Sequence, residues 1–491
     1  MSRVVIMGSG IAGLAAAIRL AVQGHQVTVL EQNAVAGGKI AERRVGRCRF
    51  DTGPSLLTWP QLIDELFVLA GKPIPQTLRY HRLPVICHYF FADGKKLQAY
   101  ADPMHFADEV ARVLEVAPSL IRRYLNDSAR LFQLTREVFL LRSLHDVRTY
   151  LSLPAWRALC NIRSLYAWTT LHRYNSTRLP SPHLVQLFDR YATYNGSDPF
   201  QAPATLRVIP HLEFNDGAFL PPSGMYAIVQ ALQLLAEACG VRFYFSTPVQ
   251  KILARRQVQA VFTSDGKRQR QSWPADIAVS NVDVQLTYEK FLDGLNCRYR
   301  HRELSTSAMV FLWEMNRTFP ELGLHNIFFS SDYEREFAAL KQGKFPADPT
   351  VYLNCSSKLI PSDAPPDHEN WFVLINAPAR TDLDWPAQIA FMRKAVIERM
   401  RRALHVDVEA HIIAEAVITA ADLAAATGAI GGALYGSSSN HWRSAFLRHP
   451  NRSPHFKNLY FCGGTVHPGG GIPLCLLSAR IVAELIARRH S

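Results

Sequence analysis

The segment RVVIMGSGIAGLAAAIRLAVQGHQVTVLEQN, residues 3–33, constrains the fold more than any other stretch. Val4 to Met7 make an unbroken apolar run, as expected of a strand buried on both faces. Glycines 8, 10 and 13 follow, then an apolar helical pattern, a turn at Gly24, and a second strand ending at Glu31, 18 residues beyond Gly13. Each residue type has a mechanical task. Gly8 turns the chain, Gly10 lets backbone approach a pyrophosphate, and Gly13 lets helix and strand pack closely. Together with Ser9, Ile11 and Ala12 they open a helix whose free N–H groups and dipole favour an anion. Glu31, with Gln32 beside it, is placed to accept hydrogen bonds from a ribose and to repel a 2′-phosphate. The unit is expected to bind FAD or NAD rather than NADP, with a purely structural glycine turn as the alternative.

Bulk properties narrow the rest. With 491 residues and a 48% apolar fraction, the chain can build two or three lobes with large cores. Its eight Cys form no C-x-x-C pair, and none of its 18 His lies in an H-E-x-x-H arrangement, so no metal site is expected. The apolar opening after Arg3 is broken by glycines, and no window reaches the roughly 18 uninterrupted apolar residues of a spanning helix. Neither a signal peptide nor a transmembrane helix is expected, and the cysteine usage suits a cytoplasmic setting.

The net charge of +13 is unevenly spread. Arg122, Arg123, Arg130, Arg136, Arg142, Arg148, Arg157, Arg163, Arg173 and Arg178 face only Asp127, Glu137 and Asp146 in the same stretch. Such a stripe suits nucleic acid or anionic lipid, the plain alternative being a solvated helix surface. No nucleic-acid module accompanies it, so nucleic acid is not an expected partner.

Beyond Glu31 come Gly37-Gly38-Lys39 and then Phe50-Asp51-Thr52-Gly53-Pro54, where an NAD domain would continue into another crossover helix. These residues resemble the N-terminal signature of the large flavoprotein family that includes amine oxidases, phytoene desaturases and protoporphyrinogen oxidase. The resemblance implies FAD. It sets Gly37, Gly38 and Lys39 near the adenosine ribose and pyrophosphate, runs Gly53 and Pro54 toward the flavin ring, and gives the backbone of Val249 to the adenine. Near the other end, NLYFCGG and GIPLCLLSARIVAELIARR read as a strand, close-packed glycines and a helix. Gly463, Gly464, Gly471 and Ile472 are thereby expected to turn N–H groups toward a phosphate or a flavin carbonyl, with Pro473 opening the helix beside them. Many relatives carry an acid just after these glycines, but Thr465 stands here. That departure, with the stretch TVHPGGGIP, resembles the carotenoid desaturase branch.

The same resemblance extends through DTGPSLLTWP, SDPFQAPATL, PPSGMYAIVQAL, SNVDV and GGALYGSSSNHWRSAFLRHPNRSP. The last of these is similar to desaturases acting late, on hydroxylated carotenoids, of the 1-hydroxycarotenoid 3,4-desaturase kind. Phytoene or C30 diapophytoene desaturases and diapocarotenoid terminal oxygenases are the alternatives, with an amine oxidase or a non-catalytic prenyl-lipid carrier more remote. The implied fold is α/β: a Rossmann-like FAD-binding domain of the glutathione reductase/amine oxidase type, a discontinuous α+β substrate domain, and a helical membrane-docking lobe. Residues 1–76, 212–285 and 425–491 would form the FAD domain, and 77–211 and 286–424 the substrate domain, with the lobe at about 119–174.

The implied reaction is oxidation of a CH–CH bond, with a hydride passing to flavin N5 and a proton to an acceptor. Oxygen, a quinone or another oxidant would reoxidise the flavin. His467, and more weakly Asp51, are the titratable residues the motifs bring near the ring; for His467 a loop hydrogen bond is the stronger competing role. At about 0.8 kcal/mol per buried CH2-like carbon, a chain of some 40 carbons costs on the order of 30 kcal/mol to place in water. The carotenoid substrate must therefore be drawn from a bilayer. RLFQLTREVFLLRSL and LPAWRALCNIRSLYAWTTLHRY, which mix Leu, Phe, Trp156, Tyr166 and Trp168 with arginines, are expected to dock on an anionic lipid surface at the cytoplasmic side.

Overall fold

A computed structural model describes residues 1–264, 270–293, 295 and 302–490. At its centre lies a parallel five-stranded sheet of β1 (Arg3–Met7), β2 (Gln26–Leu30), β3 (Arg242–Tyr244), β4 (Ile277–Ser280) and β5 (Leu459–Phe461). Their spatial order is β5-β4-β1-β2-β3. The middle position of β1 explains its unbroken apolar sequence: Val4 to Met7 are all buried, and only Arg3 emerges, where it pairs with Asp276. Over the sheet lie α1 (Ile11–Val22), α2 (Tyr226–Ala238) and α3 (Ile472–His490), with α1 packed against both others. Ala15, Ala16 and Ala17 are fully buried, and their small side chains allow that close three-helix packing. Three remote stretches of chain thus complete one sheet.

Between β3 and β4 the chain makes an antiparallel meander of Val249–Ala254, Val258–Ser264 and Arg270–Pro274, as its hairpin-like pattern predicts. The tip of that hairpin, 265–269, lies outside the described residues.

A second, seven-stranded sheet runs in the order Ile412–Ile418, Ser307–Met315, Glu369–Ala377, Val351–Asn354, His325–Phe328, Val85–Phe90 and Lys96–Tyr100. One face, carrying Phe90, Trp313, Phe328 and Trp371, packs under the helix Trp385–Leu404 through Met392, Val396 and Met400. The other face turns Tyr89, Ile327 and Phe329 into the core shared with the nucleotide-type sheet. The two sheets meet across one core, and a boundary of this kind is the usual place for a substrate.

The arginine-rich region is helical, as expected, but its two halves differ. In the helix Pro118–Phe139 the apolar side, with Ile121, Tyr124, Leu125, Leu131 and Phe132, is buried in the protein. The expectation that RLFQLTREVFLLRSL docks on lipid is therefore corrected in part: Leu131, Phe132, Val138 and Leu144 fill core positions, whereas Leu134, Phe139, Leu140 and Leu141 are half-buried. The next stretch leaves large apolar side chains uncovered: Leu151 is 79% exposed, Trp156 61% and Trp168 72%, with Val147, Leu153 and Leu159 also exposed.

Candidate cofactor and substrate site

The chain leaves β1 through Gly8, whose N–H donates to the carbonyl of Leu30 at 2.8 Å and whose φ of +93° suits glycine alone. Gly13 then passes so close to the same turn that a Cβ there would stand 2.2 Å from the Gly8 carbonyl oxygen. Gly10 caps α1 without any side-chain partner for the first helical N–H groups, and no acid occupies the first turn. These uncapped donors, opening at Ile11 and Ala12, form an anion-ready helix end. The Gly37 N–H donates to the carbonyl of Ser9 at 3.1 Å, and Gly38 lies against Gly10, so the Gly-Gly loop closes over the first motif.

Glu31 sits at the end of β2, 4% exposed. One carboxylate oxygen accepts the N–H and the hydroxyl of Ser9, at 2.8 and 2.7 Å. The other accepts the backbone and side-chain nitrogens of Asn33, at 2.9 and 3.0 Å. Four donors match the acceptor capacity of a carboxylate. A ribose can enter only by displacing the Ser9 hydroxyl or the Asn33 amide, both of which can rotate away. Gln32 and Asn33 also donate to the carbonyl of Ala426, at 2.9 and 3.0 Å. Val249 packs in one cluster with Leu30, and the nearby Thr247 donates its N–H to the Glu31 carbonyl at 2.7 Å.

The far end of the chain arrives at the same place. Gly463 follows β5, and a Cβ on it would lie 2.9 Å from Asn281 Oδ1. From the other side, a Cβ on Gly10 would lie 2.8 Å from Asn281 Nδ2. Asn281 stands immediately after β4 and donates to the Gly8 carbonyl at 3.4 Å, so the two glycine clusters meet on its carboxamide. It was quoted within SNVDV but not singled out. Its signal was position: ligands bind beyond the carboxyl ends of parallel strands, and Asn281 ends one.

Around this centre, Thr465 accepts the Val284 N–H at 3.2 Å, and the Gly464 carbonyl accepts from Arg448 at 3.2 Å. Arg448 also donates to the carbonyls of Tyr435 and Ser437, at 2.8 and 3.1 Å. Burial lowers its pKa to about 10. Gly471, at φ +100°, leads into Ile472 and Pro473 at the start of α3, and a Cβ on it would meet no atom within 4 Å. Lys39 donates to the carbonyl of Ala433 at 3.0 Å and also to that of Leu434. Burial lowers its pKa, with Asp283 acting in the opposite sense. Gly53 packs on the Lys39 carbonyl, whereas Pro54 is exposed. Uncapped helix donors, mutually close glycines and a polar centre at Asn281 are compatible with a dinucleotide's phosphates.

Both titratable candidates are held in place by hydrogen bonds. The His467 ring is 1% exposed and bonds through Nε2 to the carbonyl of Arg142 at 2.8 Å. Burial lowers its pKa to about 4, so the ring is neutral and Nε2–H is the donor. Asn451 donates to the His467 carbonyl at 2.7 Å, and the residue fastens a loop. Asp51 accepts the N–H groups of Met225 and Tyr226, at 2.8 and 3.0 Å, and pairs with Arg49 at 2.9 Å.

Fold and site together define an FAD-dependent oxidoreductase. Residues 11–487 match the family described as flavin containing amine oxidoreductase. Over the whole of both chains the sequence is 42% identical to a 1-hydroxycarotenoid 3,4-desaturase of Flavobacterium sp.. It is 30% identical to a 4,4'-diapolycopene oxygenase of Methylomonas sp., covering 99% of this chain and 98% of that one. Among solved structures, cyclohexylamine oxidase from Brevibacterium oxydans superposes with a TM-score of 0.61 at 16% identity, covering 100% of both chains. An oxidoreductase from Methanosarcina mazei reaches 0.64 at 14%, covering 98% of this chain and 100% of that one. The chain belongs to the flavin containing amine oxidoreductase family and, within it, to the carotenoid desaturase-like flavoproteins.

Proposed function

We propose that the chain introduces a C=C bond into a hydroxylated linear carotenoid, in the manner of a 1-hydroxycarotenoid 3,4-desaturase. The end-to-end 42% identity to such an enzyme carries this reading. The terminal oxygenase reading has the weaker support of relatives near 30%. Bound FAD supplies the two-electron acceptor for a hydride from the substrate. Residues Gly8 to Gly13, Glu31, Gln32, Gly37, Gly38 and Lys39 hold its adenosine and phosphate half, with Val249 toward the adenine. Gly53, Pro54, Gly463, Gly464, Thr465 and Gly471 to Pro473 hold its flavin half, and Asn281 stands between the halves. The chain's own contribution is positioning, holding one C–H bond of a rigid polyene against the cofactor in a seam that excludes water. His467 keeps the glycine loop in place; the proton leaves to another acceptor.

We propose the division into FAD-binding residues 1–76, 212–285 and 425–491 and substrate-binding residues 77–211 and 286–424. The three stretches that supply β1 to β5 support it. The substrate enters from a bilayer on which residues 147–168 dock. Supporting this are seven exposed large apolar side chains within that stretch, Val147, Tyr150, Leu151, Leu153, Trp156, Leu159 and Trp168, beside exposed Arg148 and Arg157. Monomers rarely leave such a patch to water, and interleaved arginines complement an anionic lipid surface. No helix among the described residues is long and apolar enough to cross a membrane.

The test is reconstitution in anionic liposomes with FAD and an electron acceptor, oxygen or a quinone. The substrates are lycopene, neurosporene, their 1-hydroxy forms and C30 analogues, followed by chromatography. Gain of one double bond by a 1-hydroxy substrate supports the reading; oxidation of a soluble amine and of no carotenoid would sink it.

A further inference from the structure

The inner face of the seven-stranded sheet carries a buried histidine that the cofactor site does not use. On alternating strand positions, His325 shares the side of Ile327, which packs into the core with Tyr89 from the neighbouring strand. His325 is 4% exposed. Its Nδ1 faces the Tyr352 hydroxyl at 2.7 Å and Asn354 Nδ2 at 3.2 Å. Asn354 Nδ2 also donates to the carbonyl of Leu324 at 3.1 Å, which fixes the end of the carboxamide turned to the ring. An amide nitrogen only donates, so Nδ1 is the acceptor and the neutral ring carries its proton on Nε2. Burial and then the Arg190 charge lower the ring's pKa to about 3 and keep it neutral.

Among the described residues that Nε2–H has no partner. Arg190 Nε is a second buried donor without one. The rest of this guanidinium reaches the Tyr89 hydroxyl at 3.0 Å and Tyr194, with Glu213 at 3.9 Å. The Glu213 carboxylate accepts from the hydroxyls of Tyr191 and Tyr194. Leaving a buried donor unpaired is unfavourable, and a ligand bringing an acceptor oxygen would relieve it.

We infer that His325 Nε2–H donates a hydrogen bond to an oxygen carried near one end of the polyene, so that His325 selects hydroxylated chains over hydrocarbon ones. The inference rests on the desaturase reading above. Position supports it: Tyr352 also bonds the Ser55 hydroxyl, which follows Gly53 and Pro54 on the loop assigned to the flavin half. The hydroxyl-bearing C1 lies two bonds from the C3–C4 bond, so the hydroxyl's partner belongs close to the cofactor. A hydrocarbon end would leave the donor unpaired, and sites built to bond an oxygen reject its absence more strongly than they reject extra bulk.

The experiment compares wild type, His325→Phe and His325→Gln in liposomes with FAD, on a 1-hydroxycarotenoid and its hydrocarbon counterpart. The readout is the ratio of the two kcat/KM values, with the two Kd values taken from tryptophan quenching. His325→Phe should lower the preference for the hydroxylated chain by about tenfold, while His325→Gln, which keeps an N–H, should hold it within about threefold. An active wild type with an unchanged ratio in His325→Phe overturns the role of His325 alone. A wild type that oxidises neither substrate takes down the desaturase reading and this inference with it. Should His325→Phe fail to take up FAD, His325→Leu decides by the same ratio.

Discussion

Asp51 accepts the backbone N–H of Tyr226 at 3.0 Å through one oxygen and that of Met225 at 2.8 Å through the other, tying a loop near the chain's start to the first turn of α2. The same carboxylate holds Arg49, which also bonds Glu42 and Asp363. A carboxylate at a helix N-terminus is favoured by both hydrogen bonding and the helix dipole. Asp51→Ala should therefore destabilise the protein by about 3 kcal/mol and Asp51→Asn by roughly half of that, read as lowered midpoints in chemical denaturation. If both variants match wild type, the tie contributes nothing.

Cofactor uptake should fail most sharply where backbone leaves no room. At Gly13 an added methyl meets the Gly8 carbonyl at 2.2 Å, and neither strand nor helix can yield without separating. Gly13→Ala should purify without flavin absorbance, or not fold. Glu31→Gln retains the shape but sets an amide against donors from Ser9 and Asn33. It should raise the Kd for FAD by about tenfold or more in titrations followed by flavin fluorescence quenching.

Acid should unfold this protein through its buried imidazoles. Burial lowers the pKa of His467 to about 4, and those of His325 and His449 to about 3, from about 6.5 in an unfolded chain. Below 6.5 the unfolded chain binds protons that the folded one refuses. Stability thus falls as pH drops from 6.5 toward 4, by about 1.4 kcal/mol per pH unit for each ring, and does not change through these groups above 7. Urea denaturation across pH 4.5–7 should show this slope, and His467→Asn should reduce it by about one proton.

Removing the uncovered indoles should loosen attachment to lipid. With Trp156 61% and Trp168 72% exposed, neither supports the core, so Trp156→Ser with Trp168→Ser should leave the melting temperature nearly unchanged. Co-sedimentation with anionic vesicles should weaken by more than tenfold. Replacing Arg148 and Arg157 by Glu should weaken it further and remove most of its salt dependence. Undiminished sedimentation of both variants would exclude this surface as the docking face.

The first βαβ unit was legible because every signal in it is local: strand, glycine turn, helix and acid lie within 31 residues and need no distant partner to be understood. The closing helix and its glycines were legible for the same reason. The tie that Asp51 makes was not legible, because its partners, Met225 and Tyr226, lie more than 170 residues away and nothing in its neighbourhood announces them. The inward leucines of Pro118–Phe139 and the outward ones of residues 147–159 look alike in sequence; only packing separates them. His325 sits in a strand with no motif, and the state of its ring follows from Asn354 and Leu324, contacts that the second sheet alone creates.

The place of β5 at the edge of the parallel sheet has a consequence for biosynthesis. Leu459–Phe461 and α3 are synthesised long after α1, yet α3 covers α1. Until then α1 lacks that cover, and the Gly463 side of the site does not exist. FAD therefore meets a complete site only once α3 has been made, and the half-built sheet exposes apolar surface in the meantime.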